Sequence, residues 1–308
     1  MMQVQYRIAR LIRKYESLTG IVLTMGSVES ATGGAISDRI TNVSGSSDYY
    51  KGSIISYSND VKARIVGVTE ETLRAYGAVS YETGIEMAAG GRRLLDVDIC
   101  VADTGIAGPK GATHEKPAGL FYISLSCSDG TEICRKHNFS GNRINNKKTA
   151  ACKAMEMIAD YITDKIKNIK EADFPEKRVV TSFLLQDRKV LVLKRSSRVG
   201  TYQGRWSAVS GYLESKPLAQ ALIEIKEETG LSSGQVKLIK KGMPLYIIDE
   251  ALKTKWKIYP FAFEKTSSEP VKIDWENIES RWIEPGEIAN IQTVPGLKQA
   301  LNRVIAHS

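Results

Sequence analysis

A chain of 308 residues with 42% apolar and 25% charged side chains has ordinary globular composition, which excludes a disordered or fibrous protein and, at roughly 100 to 200 residues per domain, calls for two domains. The net charge of +8 is spread evenly, with 22 basic against 18 acidic residues up to Lys170 and 21 against 17 after it. No basic tail or stripe marks a nucleic-acid partner, and small phosphorylated ligands suit the excess at least as well.

In chain order, Ile8, Leu11, Ile12 and Tyr15 trace one apolar helical face. The basic residues around it (Arg7, Arg10, Arg13, Lys14) precede no apolar run with a cleavage site, so no secretory signal is expected. The longest apolar stretches, such as 20–28, are shorter than the ~18 residues of a membrane span, and a cytoplasmic protein without a membrane partner is expected. Candidate strands at 21–28, 53–58, 98–102 and 119–126 alternate with candidate helices at 34–41, 69–76, 81–95 and 147–167, which predicts a layered α/β domain. A charge-dense stretch over 158–178, interrupted by Pro175, marks the domain boundary and gives domains 1–168 and 178–308. Beyond it, VVTSFLLQ-DR-KVLVLKR predicts a hairpin, SKPLAQALIEIKEETG a helix, and 255–264 and 281–283 further strands.

Cys100, Cys127, Cys134 and Cys152 contain no Cys-x-x-Cys pair, and reduced thiols are expected. His114, His137 and His307 have no His or Cys at ligand spacing, which excludes a structural zinc site.

No Gly-Lys dipeptide occurs, so a Walker A loop is absent. Small-residue turns stand instead at 27–34, 42–47 and 104–109. There backbone N–H groups can approach an anion, and a helix starting near Gly33 would point its positive end at a phosphate. Singly, each turn could be only a turn. Together the blocks Glu29-Ser30, Thr32-Gly33-Gly34, SGSS (44–47), YSNDVK (57–62), YGAVS (76–80), TGIAGP (104–109), EKPAG (115–119) and GNR (141–143) make 27–162 resemble the CinA C-terminal domain family, the nicotinamide mononucleotide (NMN) amidohydrolases. The resemblance implies hydrolysis of NMN to nicotinic acid mononucleotide and ammonia without a cofactor, with Ser30 as nucleophile, Lys62 as its base and Tyr57 as a supporting hydroxyl. Amide hydrolysis needs an activated nucleophile, and with no histidine in these blocks a desolvated neutral lysine is the base at hand. Backbone donors of the turns, with Thr104 and Gly105, would hold substrate and oxyanion. Arg143, Lys147 and the N–H groups of Thr32, Gly33 and Gly34 would hold the 5′-phosphate. Ala31 stands where the family commonly has Cys, and His114 where it often has Pro.

Glu224, Glu227 and Glu228 fall at i, i+3 and i+4 of the predicted second-domain helix, opposite a stripe of Leu218, Ala221, Leu222 and Ile225, with Gly230 as the stop. Such a face is either solvated or gathered by a hard divalent cation that bridges carboxylates to phosphates. With Gly211, GRWSAVSGYLE (204–214) and WENIESRWIEPGEI (275–288), the stretch 179–304 resembles a Nudix hydrolase. This implies an α/β/α sandwich that cleaves a nucleoside diphosphate derivative such as ADP-ribose or NAD(H), with Mg2+ on Glu224, Glu227 and Glu228. Ile223 replaces the Arg of the Nudix pattern, and the loop before Glu224 is about two residues short, so a nucleotide sensor without catalysis is the alternative for this half. A competence or DNA-damage accessory is the third reading for the chain. Small-molecule nucleotides are the expected partners, and homo-oligomerisation stays open.

Overall fold

The computed structural model describes residues 3–305, so His307 lies outside the described residues. The chain divides into two compact units, one of residues up to 16 and 22–170, the other of 17–21 and the residues from 171 on. Among the described residues no helix is long and apolar enough to cross a membrane.

The first unit contains α1 (Val4–Thr19, its first turns), β1 (Met25–Glu29), α2 (Ala35–Thr41), β2 (Tyr50–Ile55), α3 (Asn59–Val61), a π turn over Lys62–Val66, α4 (Glu70–Ala75), α5 (Tyr81–Leu95), β3 (Ile99–Gly105), β4 (Leu120–Cys127), β5 (Glu132–Asn138) and α6 (Arg143–Glu171). The face of α1 read from the spacing is buried, with Ile8, Ile12 and Tyr15 each no more than 4% exposed. The sheet order is β2-β1-β3-β4-β5, in which β1 runs parallel to both β2 and β3 and the remaining pairs are antiparallel. β1 therefore lies between β2 and β3, and the chain leaves it first to one side and later to the other. In open α/β sheets the crevice at the carboxyl ends of strands at such a switch is where ligands bind.

Met87 and Ala88 of α5 pack on Val28, Cys100 and Ala102 of the sheet and on Val66. Gly90 makes the approach possible, since a Cβ there would stand 1.9 Å from the carbonyl oxygen of Val66. α5 thus presses on the π turn that begins at Lys62. The edge strand β5, with Glu132, Arg135 and Lys136 largely exposed, carries no apolar alternation and is invisible in the sequence pattern. All four cysteines are free, Cys100 and Cys127 buried, Cys134 and Cys152 half-buried.

The second unit contains β6 (Glu176–Gln186), β7 (Lys189–Arg195), β8 (Trp206–Ser207), β9 (Val209–Tyr212), α7 (Pro217–Thr229), β10 (Val236–Lys241), β11 (Leu245–Asp249), β12 (Thr254–Lys265), β13 (Asn277–Ile283) and α8 (Leu297–Val304). Asp187 and Arg188, both left-handed at φ 51° and 64°, close the β6–β7 hairpin, the conformation whose twist matches that of the strands. The sheet runs β10-β12-β6-β7-β13, with β11 on β12, β8 on β7 and β9 on β6. On one face Ala221 and Ile225 of α7 pack against Val180, Leu184, Phe261 and Phe263. On the other, Leu297, Ala300, Leu301 and Val304 of α8 pack against Phe183, Ile258 and Ala262. Alternate residues of β12 feed the two cores, giving an α/β/α sandwich.

Candidate active sites

In the first unit, Glu29 ends β1, Asp103 lies near the end of β3, and Lys62 follows β2, so the carboxyl ends of the three parallel strands deliver one cluster. Lys62 Nζ donates to Ser30 Oγ at 2.9 Å and to the carbonyl oxygen of Ser56 at 2.6 Å. Lys62 is 1% and Ser30 7% exposed. Burial drives the Lys62 amine down to about 8, against the charge of Asp103, which raises it. An amine with that affinity is neutral in a sizeable fraction of molecules near neutral pH and accepts a hydroxyl proton.

Ser30 sits in a turn fixed from beneath. Asp103 accepts the N–H of Ser30 at 3.2 Å and of Thr32 at 3.1 Å, and contacts the Thr32 hydroxyl as well. Glu29 accepts the N–H groups of Gly34, Ile36 and Ser37 at 2.7, 3.1 and 2.9 Å and the Thr32 hydroxyl at 2.8 Å. The carboxylate of Glu29 therefore caps α2. This corrects the expectation that the Thr32 and Gly34 N–H groups face a phosphate: they are already committed to Asp103 and Glu29. Gly33, exposed and left-handed at φ 59°, has Lys147 Nζ 3.4 Å from where its Cβ would stand, so Gly33 and Lys147 are brought together.

Tyr57 is 65% exposed, and its hydroxyl accepts from Arg143 at 3.1 Å, while the other arm of that guanidinium donates to the Gly108 carbonyl at 3.0 Å. Tyr57 thus joins the cationic rim instead of contacting Ser30 or Lys62. Thr104 is buried and donates to the Ala78 carbonyl at 2.5 Å, and Gly105 lets the chain pass Phe121, whose ring would lie 2.5 Å from an added Cβ. The Thr104 hydroxyl and the space left by the missing Gly105 side chain thus serve contacts within the fold. Asp103, Glu29 in its capping role and the Ser56 carbonyl were not foreseen as site groups. The signal for two of them is present: a carboxylate at the end of an otherwise apolar, buried strand.

In the second unit a cleft of about 790 Å3 is lined by Glu214, Glu224, Glu227 and Glu276, by Arg195 and Arg198, and by the rings of Tyr202, Tyr212, Trp256 and Trp275. Glu224 stands against Gly211, where a Cβ would fall 1.9 Å from its carboxylate, and accepts from Gln220 at 2.8 Å. Its affinity for protons is raised by burial and by the charges of Glu227, Glu276 and Glu214, against the Gln220 hydrogen bond. Glu228 lies elsewhere. It is 6% exposed, its oxygens accept the Ser210 N–H at 2.7 Å and the Asn277 amide at 2.9 Å, and burial pushes its carboxyl up to about 8. The α7 face is not the uniform acidic surface that spacing suggests, since Glu228 and Gln220 turn inward while Leu218 is 39% exposed.

The donor set fits Mg2+ in kind, because hard carboxylate oxygens gathered on one cleft relieve their repulsion around a hard cation. It does not fit in arrangement: among the described residues no three His, Cys, Asp or Glu side chains converge tightly enough to hold an ion. Glu224 and Glu227 share the cleft; Glu228 is not brought to it.

Comparison with known proteins divides the chain in the same place. Residues 10–162 match the CinA C-terminal domain model and residues 175–304 the NUDIX domain model. The chain therefore carries one domain of each family. A protein of Halothermothrix orenii named for induction in competence and damage is 48% identical over 136 residues, 44% of this chain and 32% of that protein. A CinA-like protein of Thermotoga neapolitana is 41% identical over 142 residues, 46% of this chain and 34% of that protein. The chain spans about a third of the length of these curated relatives. Among solved structures, the competence/damage inducible protein CihA of Agrobacterium tumefaciens is similar at 30% identity over 53% of this chain and 97% of its own, with a TM-score of 0.49.

Proposed function

We propose that the first unit is an NMN amidohydrolase with Ser30 as nucleophile and Lys62 as general base. The observation that carries this reading is the 2.9 Å contact between a nearly water-free Lys62 amine, lowered to about 8, and the Ser30 hydroxyl. Neutral Lys62 takes the Ser30 proton as Oγ bonds to the carboxamide carbon. The ammonium returns that proton to the leaving nitrogen, ammonia departs, and an ester to Ser30 remains. A water that gives its proton to Lys62 then cleaves the ester, releasing nicotinic acid mononucleotide and restoring the serine. The Ser56 carbonyl aims the amine throughout. Arg143 and Lys147, on the rim, are the cations suited to the 5′-phosphate. The test is ammonia release from NMN, with Ser30→Ala inactive.

For the second unit we propose hydrolysis of a nucleoside diphosphate derivative such as ADP-ribose or NAD(H). The cleft supports this: aromatic rings suit a base, arginines a phosphate, and Glu224, Glu227, Glu214 and Glu276 are the carboxylates to which Mg2+ would be drawn. Cleavage of NAD would yield the mononucleotide that the first unit consumes. A nucleotide sensor is the second reading, favoured by the two internal hydrogen bonds of Glu228. Binding of ADP-ribose without Mg2+-dependent cleavage selects the sensor. We propose small-molecule nucleotides as the partners and the cytoplasm as the compartment.

A further inference from the structure

We propose that Asp103 is the positioning residue of the Ser30–Lys62 pair: it holds the nucleophile's turn through two amides, and its charge favours the ammonium form of the Lys62 amine that contacts the same serine. This rests on the Ser30–Lys62 reading above.

Asp103 is fully buried, on a strand between Ala102 and Thr104, which are buried too. Among the described residues it has no basic side chain in ion-pair contact, although a buried carboxylate is costly unless it is paired or hydrogen-bonded. Its three hydrogen-bonding contacts all go to the turn that carries the nucleophile: the Ser30 and Thr32 amides and the Thr32 hydroxyl. The same hydroxyl lies 2.8 Å from Glu29. One hydroxyl has one proton, so it can donate to only one of the two carboxyls at a time. Glu29 is surrounded by donors alone, from Gly34, Ile36 and Ser37.

The ionisable groups acting on one another here come from three elements, Glu29 from β1, Lys62 from the π turn and Asp103 from β3, while Lys147 of α6 stands on the Gly33 side. Burial, opposed by the Thr32 hydroxyl and reinforced by Glu29, raises Asp103 to about 6. Above that pH its charge favours the ammonium, in a site where Lys62 has almost no water to solvate it. The proton that leaves Ser30 thus arrives at a nitrogen whose charged form Asp103 stabilises.

The test compares the pH dependence of NMN deamidation in the wild type and in Asp103→Asn. With the charge removed, the acid limb of kcat, which reports deprotonation of Lys62, moves to lower pH by at least ~0.5 pH unit, and kcat falls about 10- to 100-fold with KM changed less than about threefold. A fall in kcat with the acid limb unmoved overturns the proposal, because a scaffold role alone does not alter the base. Should Asp103→Asn not fold, the Lys62 13Cε resonance of the wild type, identified by its loss in Lys62→Ala, decides without substrate. A second inflection near pH 6 supports the coupling, and a single inflection overturns it. If instead Ser30→Ala retains full ammonia release, it is the Ser30–Lys62 reading that fails.

Discussion

The two candidate sites differ in how much of each is assembled by the protein alone. In the first unit Ser30 and Lys62 already touch, both are buried, and a fully buried carboxylate fixes the backbone of the turn. In the second, four carboxylates line an open cleft, the proton affinities of Glu224 and Glu276 are raised by burial and by neighbouring carboxylates, and, among the described residues, the four converge on nothing supplied by the chain. Serine–lysine chemistry needs only a desolvated amine, which folding can provide. Diphosphate chemistry on carboxylates needs a cation that folding cannot provide.

The largest expected effects test the assembled site. Ser30→Ala and Lys62→Ala should each lower NMN deamidation at least ~1000-fold while far-UV circular dichroism stays unchanged, since the pair acts as a unit and one loss removes it. Lys62→Arg should fail equally, because a guanidinium does not give up its proton to become a base. Wild-type turnover in any of the three would erase the contrast between the units.

Next in size are changes to the open cleft. Glu227→Gln should lower any Mg2+-dependent cleavage by ~100-fold or more. Glu228→Gln should act first on stability: it leaves an amide facing the Asn277 amide and costs ~1–3 kcal/mol, read as a lower Tm for the second unit. If Glu228→Gln instead abolishes cleavage with Tm unchanged, Glu228 is a ligand and the cleft rearranges around the cation. Gly211→Ala sharpens the same point. A methyl group there meets the Glu224 carboxylate, so nucleotide binding by the second unit should weaken while NMN deamidation by the first is unchanged.

A pH profile separates the two sites further. Lys62, lowered to about 8 by burial, must be neutral to act, so kcat for NMN should rise with pH and level off above about 8. A flat profile from pH 6 to 9 would remove Lys62 as the base. The smallest effect is expected from Tyr57→Phe. Loss of the hydroxyl that Arg143 holds should raise KM for NMN by about fivefold and leave kcat nearly unchanged, which places Tyr57 on the rim.

What could be read from the sequence follows the same division. Apolar periodicity located α1, α5, the β6–β7 hairpin and α7, because those elements bury a regular face. It passed over β5, whose residues are mostly exposed, and the short β8 and β9, which have too few residues for a period. Motif spacing pointed to Ser30 and Lys62. At Thr104 and Gly105 it did not show that a hydroxyl and a missing side chain serve a carbonyl and an aromatic ring inside the fold. Asp103 went unassigned because its value comes from β3 lying beside β1, a pairing between residues more than seventy positions apart that no local pattern encodes. On α7, helical spacing brought three glutamates to one side but could not say that Ser210 and Asn277 would draw the third one inward.

The central claim, that the first unit hydrolyses NMN through Ser30, is tested most directly by incubating the whole chain with NMN in the presence of a metal chelator and following ammonia and nicotinic acid mononucleotide. The account predicts equal amounts of both products from the wild type and neither from Ser30→Ala. No product from the folded wild type, or undiminished product from Ser30→Ala, would contradict it.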